Sequence, residues 1–150
     1  MCGAASLLIV LRYYGLEKSE SELARLLGVD SRTGTDAAAL RRVAESLGFV
    51  AEVRSESTLE MIEDWIGNGV PVIVDWFSRG RADYGDGAVA DGHYSVVAGL
   101  DAEHIYLMDP EIGGIRKLAR EDFLRVWFDF EGEYIRPDGL LVRQSIAIHK

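Results

Sequence analysis

The chain has 150 residues, a length for one domain, and at 48% hydrophobic and 27% charged it has the composition of a globular protein rather than a disordered or fibrous one. Sixteen Lys and Arg against 25 Asp and Glu leave a net charge of −9, which argues against binding to nucleic acid or anionic membrane and favours a basic or neutral partner such as a cationic peptide. The single cysteine excludes an internal disulfide, no apolar run reaches transmembrane length, and Met1-Cys2-Gly3 carries no basic secretory region, so a cytoplasmic domain over residues 1–150 is expected.

Helical signals come first. Leu7, Leu8, Leu11 and Tyr14 recur at helical spacing and Gly15 stops them. Ser19-Glu20-Ser21-Glu22 is a capping box before Leu23, Leu26 and Leu27, with Gly28 as the stop. Thr35-Asp36 caps a third helix with Leu40, Val43, Ala44 and Leu47, closed by Gly48. Thr58 opens a fourth with Leu59, Ile62, Trp65 and Ile66, closed by Gly67. Strand signals follow. Residues 70–76 are apolar and β-branched, with Pro71 near the start where a missing N–H is tolerated. Residues 93–99 and 104–108 read as a hairpin turning at 100–103. A short strand at 115–118, a helix at 120–127 and a closing strand at 140–148 complete the chain. Residues 78–92 form a polar loop containing four glycines. Helices first and antiparallel strands second is an α+β pattern.

Three residues could carry chemistry together. Cys2 stands at the start of a helix, where unpaired N–H groups and the helix dipole favour a thiolate. On position alone a lone cysteine is more often a small buried hydrophobe. His93 begins a strand after a glycine-rich loop, a place that suits a general base, although alone it also reads as a surface histidine. His104 and His149 fall in a turn and near the chain end. Asp109 closes the strand that pairs with the one His93 opens. A turn centred near Ala102 puts Asp109 directly across from His93 on the same face, with Cβ atoms roughly 4.5–5.5 Å apart. An acid there can hold the imidazole and fix its tautomer. The acidic loop with Asp83, Asp86 and Asp91 could take Ca²⁺, but without the ordered spacing of a calcium loop it reads as solvated. Cys2, His93 and Asp109 are a weak zinc set, and no cofactor is expected.

Cys2-Gly3-Ala4-Ala5-Ser6-Leu7 with Leu11-Arg12-Tyr13-Tyr14-Gly15, then Glu22-Leu23-Ala24, Gly34-Thr35, Gly69-Val70-Pro71-Val72-Ile73, Gly92-His93-Tyr94-Ser95-Val96-Val97 and Ile105-Tyr106-Leu107-Met108-Asp109-Pro110 resemble the bacteriocin-processing, double-glycine leader cysteine peptidases. The likeness runs from Cys2 to about Trp127. It implies a papain-like fold, N-terminal helices packed on an antiparallel sheet, with Cys2 as nucleophile, His93 as base and Asp109 as orienter. It also implies hydrolysis of a peptide bond after Gly-Gly in a leader peptide. Ala4 stands where the family usually has proline. The family's oxyanion glutamine, a few residues before the cysteine, has no counterpart here. Only Met1 precedes Cys2, and the sole glutamine is Gln144. Losing such a donor costs roughly 10²–10³ in rate. Two alternatives follow: a catalytically silent peptide-binding domain, and a papain-like acyltransferase similar to the phytochelatin synthases. Oligomeric state is not legible in the residues.

Overall fold

The computed structural model describes residues 2–29, 35–77, 93–130 and 140–150. Three helices come first: α1 (Cys2–Tyr13), α2 (Glu20–Leu27) and α3 (Ala37–Ser46). Their starts are fixed by side-chain caps where the sequence places them. Ser19 Oγ accepts from Glu22 N–H at 3.1 Å, and Asp36 Oδ1 from Ala39 N–H at 2.8 Å. Gly28, at φ 71°, supplies the left-handed residue that stops α2.

β1 (Val50–Arg54) follows, a strand that the sequence pattern does not predict. Its inward residues are the small Ala51, 2% exposed, and Val53, whereas Val50 is 46% exposed, so the apolar signal of the strand is short and weak. α4 (Leu59–Gly67) then leads into β2 (Val72–Trp76), β3 (His93–Leu100), β4 (His104–Asp109) and β5 (Gly114–Ala119). The glycine with positive φ behind α4 is Gly69 rather than Gly67. α5 (Arg120–Val126), β6 (Phe128–Phe130), β7 (Leu140–Val142) and β8 (Ser145–His149) complete the order. The expected strand over 140–148 is therefore two strands. Arg143 takes a φ of 49° between them, and a non-glycine in that region gives no sequence cue.

Six strands form one antiparallel sheet in the order β1-β8-β2-β3-β4-β5, and β6 and β7 pair separately. Strand alternation gives the large sheet two apolar faces. On one, Leu7, Leu11, Leu23 and Leu40 of α1–α3 pack against Ile73, Val96 and Ile146. On the other, Ile62 of α4 and Phe123 of α5 pack against Val74, Trp76 and Leu107. Each fully buried leucine or isoleucine contributes ~1.5–3 kcal/mol of transfer free energy. The architecture is α+β, with the N-terminal helices on an antiparallel sheet.

The β3–β4 hairpin carries one correction. Val96 pairs with Met108 and Val97 with Leu107, and a bulge between Val97 and Gly99 shifts the register nearer the turn. Continued one residue beyond Val96 and Met108, that pairing sets Asp109 across from Ser95, not His93. The face is the expected one, and Asp109 reaches His93 along the diagonal. The extra bulged residue is invisible to an argument from turn position alone.

Candidate active site

The site is built at one end of the sheet. His93 is the first residue of β3 and pairs with Trp76 of β2, whose ring lies 5.7 Å from the imidazole. Trp76 Nε1–H donates to Ser95 Oγ at 3.0 Å, so the residue directly across from Asp109 is held by the strand behind it. Asp109, 1% exposed, faces the same side of the sheet as His93 and is hydrogen-bonded to His93 Nε2. A carboxylate at Nε2 assigns the proton to that nitrogen and leaves Nδ1 as the nitrogen available to a thiol.

Cys2 arrives from the opposite face, as the first residue of α1. Its Sγ accepts the Tyr94 N–H at 3.5 Å and lies beside the His93 ring, near enough for the ring to lower the thiol. The three residues singled out in the sequence thus meet, from a helix start, a strand start and a strand end. Gly3, beside the thiol, leaves room for a close neighbour. A Cβ there would run into Thr35 Cγ2, whose residue also holds the Tyr94 hydroxyl through its carbonyl at 3.3 Å.

The electrostatics follow from these contacts. Burial pushes the Cys2 thiol up. The hydrogen bonds from His93 and Tyr94 N–H, with the charge of His93, outweigh it and hold the thiol below its ordinary value. Burial pulls the His93 ring down, yet its bonds to Asp109 and Cys2 and their charges push it up to about 9. For Asp109, burial pushes upward, but the bond and charge of His93, then Arg116 and the Glu111 N–H, hold it below the ordinary carboxylate range. Such a corner favours a thiolate beside an imidazolium.

Residues that the sequence reading passed over also converge here. Arg116 of β5 bonds Asp109 Oδ2 through Nε and reaches Glu111 Oε2 through Nη2 at 3.4 Å. The β4–β5 register would have exposed it, because Arg116 pairs with Leu107 and so shares the face of Asp109. His93, Asp109 and Glu111 bring ligand atoms within 4.8 Å of one another, but the guanidinium already bonded to both carboxylates supplies the positive charge that a metal would bring. The acidic stretch with Asp83, Asp86 and Asp91 lies outside the described residues.

On the α1 face, Asp75 of β2 is 2% exposed, pairs with Tyr94, and among the described residues has no N–H or cationic donor at either carboxyl oxygen. Burial first, then Asp129 and the charge of Cys2, push its carboxyl well above the ordinary range. Gln144 lies beside it at the entry to β8, its backbone carbonyl accepting Asp75 N–H at 3.4 Å and Trp127 Nε1–H at 3.0 Å. Away from Cys2, an apolar cavity of about 390 Å³ opens along α1 between Ile9, Tyr13, Ile66, Val96 and Met108.

A family model described as the peptidase C39 family matches residues 1–130. An uncharacterized protein of Methanothermobacter marburgensis is 37% identical over 127 residues, which are 84% of this chain and 75% of that protein. The transport/processing ATP-binding protein ComA of Streptococcus pneumoniae is 33% identical over 128 residues, 84% of this chain. The chain spans only 16% of the length of that transporter relative. Among solved structures, a double glycine motif protease from an AMS/PCAT transporter, in complex with the leader peptide, superposes with a TM-score of 0.69 at 22% identity. That match covers 99% of this chain and 83% of the other.

Proposed function

The chain belongs to the peptidase C39 family, and on that premise we propose that it is a cysteine peptidase with Cys2 as nucleophile, His93 as general acid and base, and Asp109 as the carboxylate that orients His93. The observation that carries this reading is the line of contacts from Cys2 Sγ through the His93 ring to Asp109.

Such a line divides amide hydrolysis into two easier steps. The Cys2 thiolate attacks the scissile carbonyl carbon, and the carbonyl electrons move onto oxygen. The backbone N–H of Cys2, at the positive end of α1, is the donor we assign to the charge that develops there. The imidazolium of His93 gives its Nδ1 proton to the departing amine as the C–N bond breaks and a thioester remains. Neutral His93 then takes a proton from water, hydroxide adds to the thioester, and the thiolate leaves with a carboxylic acid as product. Asp109 keeps its charge throughout and holds Nε2–H in place.

The proposed substrate is a peptide with Gly-Gly before the scissile bond, in keeping with the leader peptide bound to the transporter protease that shares this fold. The apolar cavity along α1 and the row Met108–Ile115, 37% and 57% exposed, would take the apolar side chains of such a peptide. The net charge of −9 favours basic sequences. No helix among the described residues is long and apolar enough to cross a membrane. A free catalytic thiol suits a reducing compartment, and we place the chain on the cytoplasmic side.

The test is incubation with basic peptides that contain Gly-Gly, read by intact mass. An acyl adduct on Cys2 followed by a carboxylate product is expected, and Cys2→Ser should bind without turnover. Binding with neither adduct nor product would make the protein a peptide receptor. A product bearing an added amine or thiol in place of water would make it an acyltransferase.

A further inference from the structure

We propose that Arg116 is a positioning residue of this site: it turns Asp109 toward His93 and keeps Glu111 from taking the imidazole in its place. The inference rests on the peptidase reading for its kinetic consequences, but its geometry stands apart from that reading.

The Asp109 carboxylate is fully engaged. Oδ1 is bonded to His93 Nε2 and accepts the Glu111 N–H at 3.0 Å, while Oδ2 accepts Arg116 Nε–H. A carboxylate held at one oxygen only can turn about its last torsion, which is soft. Held at both, it presents a single face to the ring. Arg116 can do this because of its register. Gly114, directly across from Asp109, has no side chain, so the next residue on that face, Arg116, leans along the strand to reach it. His93 reaches Asp109 along the opposite diagonal, and the two cations close on the carboxylate from either side.

Glu111 explains why an arginine is needed. Its Oε2 lies 3.7 Å from His93 Nε2, too far for a hydrogen bond but near enough to compete for the proton there. The same oxygen lies 3.4 Å from Arg116 Nη2. The guanidinium fork therefore spans both carboxylates, giving Nε to Asp109 and Nη2 to Glu111. The point charge of a lysine cannot reproduce that arrangement. If Glu111 took Nε2–H instead, the ring would rotate and Nδ1 would leave the Cys2 thiol.

The groups facing His93 are thus Cys2, Asp109 and Glu111, with Arg116 bonded to the last two. Positioning and simple charge predict opposite signs. Removing a nearby cation raises the pKa of His93 if Arg116 acts only through its charge. If Glu111 takes Nε2–H instead, a carboxylate still faces the ring, but the ring turns from Cys2, and losing the bond and charge of the thiol lowers the pKa from about 9 toward the ordinary histidine value.

The chain has three histidines, so the His93 ring signal can be followed by NMR titration without any substrate. Arg116→Ala should lower the His93 pKa and reduce kcat by roughly 10–100-fold, the usual cost of losing a group that orients a functional imidazole, with KM little changed. Arg116→Lys should fall between the variant and the wild type. Adding Glu111→Gln to Arg116→Ala should restore part of both losses, because the competitor is gone. An Arg116→Ala protein with a raised or unchanged His93 pKa would overturn the proposal. So would a double variant no better than the single one. If Arg116→Ala does not fold, a folded Arg116→Lys with the wild-type His93 titration and kcat would overturn it equally. Should the wild type cleave no peptide, the titration still decides the role of Arg116, and the peptidase reading fails by itself.

Discussion

Two aspartates stand near Cys2 at the same end of the sheet, and they obey opposite rules. Asp109 and Asp75 are 1% and 2% exposed, each close to a strand end. Asp109 is met by His93, Arg116 and a backbone N–H, and is held below the ordinary carboxylate range. Among the described residues Asp75 has no N–H or cationic donor at its carboxyl oxygens, and it faces the Asp129 carboxyl and the thiol, which with burial drive it well above that range. Burial alone therefore does not set the state of an acid here. The donors that the register brings to it do. One face of the sheet keeps a charged carboxylate to hold an imidazole. The other holds Asp75 above that range, near Cys2.

The comparison breaks most visibly at Asp109. Asp109→Asn keeps the shape but loses the charge that favours the imidazolium. Peptide turnover should fall by roughly 10²–10⁴-fold, as when a triad acid is neutralised elsewhere. Steady-state kinetics on a cleaved peptide would check this, and activity within a few-fold of wild type would show the two aspartates to be equivalent.

Asp75→Asn sharpens the contrast with a smaller effect of opposite sign. The folded-state pKa of Asp75 is raised, so its contribution to stability is full below the unfolded pKa and is lost as pH rises through the folded value. Asparagine cannot ionise. Thermal melts should therefore show little difference between the two proteins near pH 4, and an advantage for Asp75→Asn that grows toward alkaline pH. A gap that stays constant with pH would mean that Asp75 does not titrate as its surroundings require.

Much of this corner is legible in the residues. The caps at Ser19, Asp36 and Thr58 mark helix starts, and the order Cys2, His93, Asp109 follows from strand and turn signals. What stays hidden is register. The bulge after Val97 adds a residue that no turn chemistry announces, and so Asp109 meets His93 diagonally. β1 escapes because its buried position is Ala51. The split of residues 140–148 escapes because Arg143 adopts a positive φ. Arg116 could have been found by pairing β4 with β5 through Gly113 and Gly114. Asp75 carried a signal as well, since a lone acid inside Val72-Ile73-Val74-Asp75-Trp76 has to be neutral or paired once the strand is central.

The central claim, that Cys2 and His93 form a reactive pair, is tested most directly by the pH profile of Cys2 alkylation with iodoacetamide, in the wild type and in His93→Ala. A thiol lowered by His93 beside an imidazole raised to about 9 should react as a thiolate well below the ordinary thiol pKa of ~8.5. The profile should change again near pH 9 as His93 loses its proton, and His93→Ala should return Cys2 to the behaviour of a free thiol. A single rise near the ordinary thiol pKa, the same in both proteins, would contradict the account.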